Sequence, residues 1–425
     1  MEKIILKGID ETVYYDKCDN GLPIYMSVND KVNNFYITLN VKYGSIHTEY
    51  KLDGEEEYTK VTNGVAHFLE HVNFNEDDNT TAHQYFDKLG SSINAFTTFN
   101  FTSYEVFASN FFKENLEHLL DYVQKPYFTP KLVEKEKGII IEEVRMGKNN
   151  PGHKLYYGMN KALLKKDKRR NLVTGEVADV KKITCEELID IHSKFYHPMN
   201  MFVVITGNFN PEEAVNIIKE NQNNKEFVEY KNPVIKEVKE PLTVNCDYKE
   251  IEANVEIPKV KISYKMPLSI FGDIDKSLVN IYLSAILRNN FGSTSLLREE
   301  LLSSNLVTGI SASRDIFDNV VTIDINIETK NPEKVIKIVK EKMNNLEINE
   351  EQIKRRRRAN IASLINDYDD IEYVNSEICD EILTDNKITD NMYDIYNNLN
   401  LDDANKVLSK INLDNSSTVL LVPFK

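Results

Sequence analysis

Two histidines and a glutamate stand together in His67-Phe68-Leu69-Glu70-His71, a spacing that suits a zinc ion. Each residue of an α-helix turns about 100°, so with His67 at 0° Glu70 falls near −60° and His71 near +40°. The three polar side chains share one arc, while Phe68 and Leu69 point out of it and can pack against the body. Two imidazoles four residues apart reach one Zn²⁺ at roughly 2.0–2.1 Å, and the carboxylate between them reaches a metal-bound water instead. Such a metal acidifies the water, and Glu70 can take its proton and pass it to a leaving amine. The pattern points to metal-assisted hydrolysis.

A catalytic zinc needs a third protein ligand and an open position. The candidates lie in the helix expected over 131–146, KLVEKEKGIIIEEVRM. With Glu136 at 0°, Leu132, Val133, Ile139, Ile140 and Val144 fall between about −60° and +80°, which predicts a buried stripe. Glu136 and Glu143 sit in the middle of that stripe, whereas Glu142, near about −120°, points toward solvent. Two carboxylates in an apolar arc are costly to bury alone, and a cation removes the difficulty. Helical phase therefore favours Glu143 or Glu136 over Glu142 as the ligand.

Other segments must position these residues. Alternation predicts strands over 22–28 and 35–43, and a helix over about 62–76 carries the motif. Thr, Phe and β-branched residues over 91–108 read as two adjoining strands. Helices follow near 111–125, 131–147 and 184–195, then a strand over 201–205 and a helix from Pro211. A charged stretch at 221–250, with Pro233 and Pro241, reads as a linker. Beyond it the order recurs: a strand (VKISYKM), a helix over 276–288, strands near 306–328, helices over 332–345 and 350–368, and a closing helix and strand over 401–423. The expectation is an α+β chain of two homologous α/β sandwich domains, 1–228 catalytic and 229–425 non-catalytic, each an antiparallel-rich sheet covered by helices.

Of the 425 residues 41% are apolar and 28% charged, an ordinary globular composition, and the net charge of 52 − 67 = −15 disfavours a nucleic-acid surface. Cys18, Cys185, Cys246 and Cys379 share no C-x-x-C spacing, which sets aside a cysteine zinc site and a disulfide framework. The N-terminus has only a three-residue apolar run, so neither signal peptide nor membrane span is expected, and the reading is cytoplasmic. The basic run Lys354-Arg355-Arg356-Arg357-Arg358 reads as charges fanned round a helix, solvated or facing substrate. His83, His118, His153, His192 and His197 lack a partner at ligand spacing, and neither they nor His47 are assigned chemistry.

The layout His-x-x-Glu-His with a glutamate 72 residues after the second histidine is that of the inverted zinc peptidases. With Asn63-Gly64-Val65-Ala66 before the motif, Asn94-Ala95-Phe96-Thr97, the segment 136–143, and Phe195-Tyr196-His197-Pro198-Met199-Asn200-Met201, the chain resembles the pitrilysin/insulinase/mitochondrial-processing-peptidase family along nearly its whole length. The resemblance implies that His67, His71 and Glu143 bind zinc, that Glu70 is the general base, and that Glu136 orients the site from behind. It implies that Asn94, Ala95 and Phe96 lie on an edge strand onto which substrate adds as a further strand. It also implies half of a clamshell, two chains closing round a chamber. Many members carry an Arg and a Tyr in the second half that reach the facing active site. Here Thr308 falls where the Tyr belongs and Leu301 or Leu302 where the Arg belongs, with Arg298 out of register. The expected partner is thus a motif-less homologous chain that supplies this clamp. The expected activity is zinc metalloendopeptidase cleavage of oligopeptides or leader peptides; the alternative is a non-catalytic structural or peptide-binding subunit of the same fold.

Overall fold

Strand β4 (Phe35–Val41) shows how the first sheet is built. Phe35, Ile37, Leu39 and Val41 alternate onto one face and are buried, as period-two patterning requires. Thr38 and Asn40, on the other face, are buried too. The helix Ile371–Asp385 covers them, and its Asn375 accepts a 2.8 Å hydrogen bond from Thr38 Oγ1 and donates to the Val204 carbonyl at 3.2 Å. A polar face that would otherwise need water is thus satisfied within the protein.

The computed structural model describes residues 1–424. The chain forms two units, one from Met1–Val144, Leu172–Glu237 and Ile361–Ile395, the other from Arg145–Asn171, Val238–Asn360 and the part from Tyr396 on. In the first, β1 (Glu2–Leu6), β2 (Glu11–Lys17), β3 (Pro23–Val28), β4, β7 (Ser92–Thr97), β8 (Thr102–Ala108) and β9 (Met201–Gly207) form one sheet in the order β1-β2-β3-β9-β4-β8-β7. β5 (Glu49–Leu52), β6 (Thr59–Lys60) and β10 (Pro233–Ile235) make a small second one.

In the other unit β11 (Tyr248–Ala253), β12 (Lys259–Pro267), β13 (Gly309–Phe317), β14 (Val320–Glu328) and β15 (Ser416–Pro423) form a sheet in the order β11-β15-β12-β14-β13. The run β3-β9-β4-β8-β7 repeats this order strand for strand. In each, the first pair is parallel and every other pair antiparallel. The repeat read in the sequence is therefore present as topology, and the α+β sandwich architecture holds.

The spatial units do not follow a single cut in the chain. The helix Pro151–Leu163 packs on β15, β12 and β11, and the helix Ile371–Asp385 packs on β9, β4 and β3, so each leaves its sequence neighbours for the other sheet. Division at 228/229 remains a proposal about inherited halves. Both helices went unread in the sequence, although Ile371, Val374, Asn375, Ile378, Cys379 and Ile382 are buried at helical spacing. Within the second unit Lys265 is fully buried; its Nζ donates to Glu240 Oε1 at 2.8 Å and to the carbonyls of Leu163 and Thr243.

Candidate metal centre

The motif helix Val65–Asn73 starts after Gly64, whose φ of 91° is left-handed. A Cβ at Gly64 would stand 2.4 Å from the Thr174 carbonyl oxygen, so only glycine lets these two turns meet main chain to main chain. Eight of the nine helical residues are buried, and His71 alone is half-open. Phe68 and Leu69 are fully covered, as their arc requires, while His67 and Glu70 are 7% and 8% exposed.

The second helix, Pro130–Asn149, buries Leu132, Val133, Glu136, Ile140 and Val144. Ile139, expected in that stripe, is 48% exposed. Phase gives a side chain its direction, and at the stripe's margin no neighbour covers it. Glu142 is exposed, Glu136 is buried, and the Glu143 side chain is 45% open.

The two helices bring five of the residues read from the sequence together. His67 Nε2 lies 3.3 Å from Glu143 Oε1, and His71 Nε2 lies 3.4 Å from Glu143 Oε2. Glu136 Oε2 stands 3.8 Å from His71 Nδ1. His67, Glu70 and His71 each place a ligand atom within 4.8 Å of the others. Two ligand atoms each about 2.05 Å from one ion at a tetrahedral angle lie about 3.3–3.4 Å apart. The spacing of both imidazoles from Glu143 fits that geometry, and two nitrogens with one carboxylate are a zinc-type donor set that leaves a position open.

Electrostatics agree with a cation. Hydrogen bonds from His67 and His71 hold the Glu143 carboxyl well below the usual range. Burial pulls the His71 imidazole down, but Glu136 and Glu143, with Glu70 nearby, outweigh it and raise it to about 9. Without a metal the cluster therefore favours a proton, which is how a site organised for positive charge behaves. Glu136, facing the far ring nitrogen of His71, turns Nε2 toward Glu143.

Glu70 has a separate support. Thr97 Oγ1, at the end of β7, donates to Glu70 Oε2 at 2.5 Å. Beneath it Asn73 Nδ2 donates to the Tyr104 hydroxyl at 2.7 Å, and Tyr104 meets Tyr196 at 3.0 Å. Burial pushes both phenols up, so they stay neutral beside the carboxylate. The sequence reading assigned no role to Thr97 or this pair; the Thr in Asn94-Ala95-Phe96-Thr97 was the available signal.

β7 is the outer strand of its sheet, bonded among the described residues to β8 alone. Ile93, Ala95 and Thr97 share the half-buried face, and Asn94 and Phe96 lie on the exposed one. Asn94 stands opposite Glu105 in register, on the face away from Thr97. The edge toward a ligand is thus offered by main chain rather than by the Asn94 side chain.

The remaining histidines serve packing. His192 Nε2 bonds the Val123 carbonyl at 2.9 Å, and burial pulls its imidazole down to about 4. His118 stacks on Tyr85 and lies 2.7 Å from Glu76 Oε1, His83 lies tilted against Phe74, and His197 stacks on Tyr230. In the second unit Leu301 is core at 2% exposure, Leu302 is 36% exposed, and Thr308 pairs its main-chain N–H with the Glu328 carbonyl.

Comparison with known proteins gives one answer along the chain. Residues 26–174 match the model of Insulinase (Peptidase family M16), and residues 182–360 match that of the Peptidase M16 inactive domain. A Bacillus subtilis (strain 168) protein described as the uncharacterized zinc protease YmfH is 36% identical over 309 residues, 72% of each chain. An M16-like peptidase from Alicyclobacillus acidocaldarius superposes with a TM-score of 0.90 at 25% identity, over 99% of this chain and 100% of that one. The periplasmic protease PqqL from Escherichia coli shares the fold with a TM-score of 0.75 at 16% identity, and this chain covers 48% of it. No helix among the described residues is long and apolar enough to cross a membrane.

Proposed function

The chain belongs to the insulinase (M16) family of peptidases, and from that premise we propose that it is a zinc metalloendopeptidase. The observation that carries the reading is the approach of His67 Nε2 and His71 Nε2 to the two oxygens of Glu143 at 3.3 and 3.4 Å. In this reading His67, His71 and Glu143 hold the ion, and Glu136 fixes the His71 ring. When bound, zinc supplies an acidified water and an electrophile for the scissile carbonyl. Glu70 accepts a proton from that water and delivers it to the leaving amine nitrogen, while Thr97 fixes the carboxylate's orientation. The open edge of β7 at Asn94, Ala95 and Phe96 binds the peptide as an added strand, which sets backbone register with little demand on sequence.

The missing Arg and Tyr in the second half support a working dimer with a homologous, motif-less chain that provides them. Oligopeptides or leader peptides cut within a closed chamber are the proposed substrates, and a cytoplasmic site of action belongs to the same reading. The test is zinc content together with cleavage of a quenched peptide. Glu70→Gln keeps the zinc and loses about 10²–10⁴-fold in turnover. Full turnover with zinc retained would overturn the role of Glu70, and absence of zinc in the purified wild-type chain would overturn the site. A tight, fully active species of this chain alone on size-exclusion chromatography would overturn the need for a second kind of chain.

A further inference from the structure

The second unit carries a charge cluster that the proposed peptidase site does not use. The helix Glu350–Asp367 starts as Pro130–Asn149 does: Ile353 N–H bonds the Asn349 carbonyl, as Val133 N–H bonds that of Thr129. Ile353 and Val133, four residues past these carbonyls, are both buried. Seven residues past them the first helix has Glu136 and the second has Arg356. The position that in one unit faces an imidazole is occupied in the other by a half-buried guanidinium.

Arg356 is not alone. The helix Lys276–Phe291 packs on β13, and Arg314 of that strand donates from Nε to the Asn280 carbonyl at 3.3 Å. Arg314 shares the alternating half-buried positions of β13 with Ala312 and Ile316, so the core side of an edge strand carries a cation. Burial lowers the Arg314 guanidinium, with Arg288 beside it. Burial lowers Arg356 likewise, with Arg288 and Arg355 beside it. None of the four forms an ion pair among the described residues, and Asp315 acts on Arg314 only at longer range. A chain with 67 acidic residues against 52 basic ones thus leaves these four arginines without an ion pair among the described residues, although Glu347 and Glu351 line the same cavity as Arg355. Arg314 and Arg356 are half-buried and Arg288 and Arg355 exposed, so two partly desolvated cations sit beside two solvent-facing ones, a like-charge cluster that an anion relieves.

We propose that Arg288, Arg314, Arg355 and Arg356 form a subsite for an acidic segment of a peptide, whose carboxylates pair with the guanidinium forks. Planar guanidinium matches carboxylate two bonds at a time, which suits Glu or Asp side chains and a C-terminal carboxylate. The assignment of a peptide, rather than another anion, rests on the peptidase reading.

The test compares two labelled peptides of equal length, one carrying a run of Glu and the other Gln at the same positions. Binding is read by fluorescence anisotropy on the full chain with Glu70→Gln, so turnover plays no part. The Glu peptide binds at least about tenfold more tightly, and the preference collapses between about 50 and about 500 mM salt. The Arg288→Gln/Arg356→Gln double variant, folded by circular dichroism, loses the preference. Equal binding of the two peptides, or a preference untouched by salt, overturns the proposal without any variant. A preference kept by the folded double variant, or an oligonucleotide that binds as tightly as the Glu peptide, also overturns it. If the wild-type chain binds the Glu peptide yet cleaves nothing, the peptidase reading fails and the arginine subsite stands. If it cleaves neutral peptides and ignores charge, the reverse holds.

Discussion

The helices Pro130–Asn149 and Glu350–Asp367 hold the same place in two repeats of one topology, yet they present opposite charges. At the seventh residue past the capping carbonyl one has Glu136 and the other Arg356; at the fourteenth, one has Glu143 and the other Ser363. The first helix faces two imidazoles on a motif helix. The second lies in the half of the sequence without a histidine, the last of the chain's eight being His197. The fold fixes where a side chain is delivered, and residue identity decides what that address can hold. A metal site needs several addresses filled at once, so one half can lose it without losing the fold.

This contrast can be broken at its strong end first. Glu143→Ala removes the carboxylate that lies 3.3 and 3.4 Å from the two histidines, and we expect zinc, measured by elemental analysis, to fall from stoichiometric to trace and activity to background. Zinc retained at full occupancy would move the third ligand to Glu70 or Glu136. Glu136→Gln keeps the shape but weakens the hold on His71, with an expected loss of about 10–100-fold in metal affinity by competition with a chelator. Thr97→Val leaves zinc content unchanged and lowers kcat by about tenfold, because a charge-assisted hydrogen bond worth about 1.5 kcal/mol to Glu70 is gone. A change in KM with kcat constant would place Thr97 in substrate binding instead. Arg356→Glu is expected to act least on the metal: the second helix then matches the first at that position, yet elemental analysis finds no added zinc, because no pair of histidines completes the donor set.

Much of the site was legible because it depends on helical phase. The 100° step puts His67, Glu70 and His71 on one arc, and the same step on the second helix singles out Glu136 and Glu143 from Glu142. Depth was not legible. Glu136 is buried and Glu143 half-open, although both lie mid-stripe, and Ile139 is exposed although its phase put it inside. How deep a residue lies depends on what packs beside it, which a helical wheel does not contain. The edge-strand expectation for Asn94, Ala95 and Phe96 did not say which face each would take; in the folded sheet period-two alternation turns the Asn94 side chain to the face away from Thr97. Two helices, Pro151–Leu163 and Ile371–Asp385, went unread although Asn150-Pro151 and Asp370 cap them and their apolar periodicity could have been read.

The sequence by itself determined the donor types, their spacing along two helices, the repeat of one α+β unit, and the absence of histidines from the second half. These are local or countable properties, fixed by helical geometry and composition. Tertiary structure alone decided that both Nε2 atoms meet the two oxygens of one glutamate, that Thr97 steadies Glu70, and that Arg288, Arg314 and Arg356, from three separate elements, come near one another. It also decided which sheet each exchanged helix covers. Periodicity tells a helix that it has an apolar face; only the folded chain supplies the surface that face will bury.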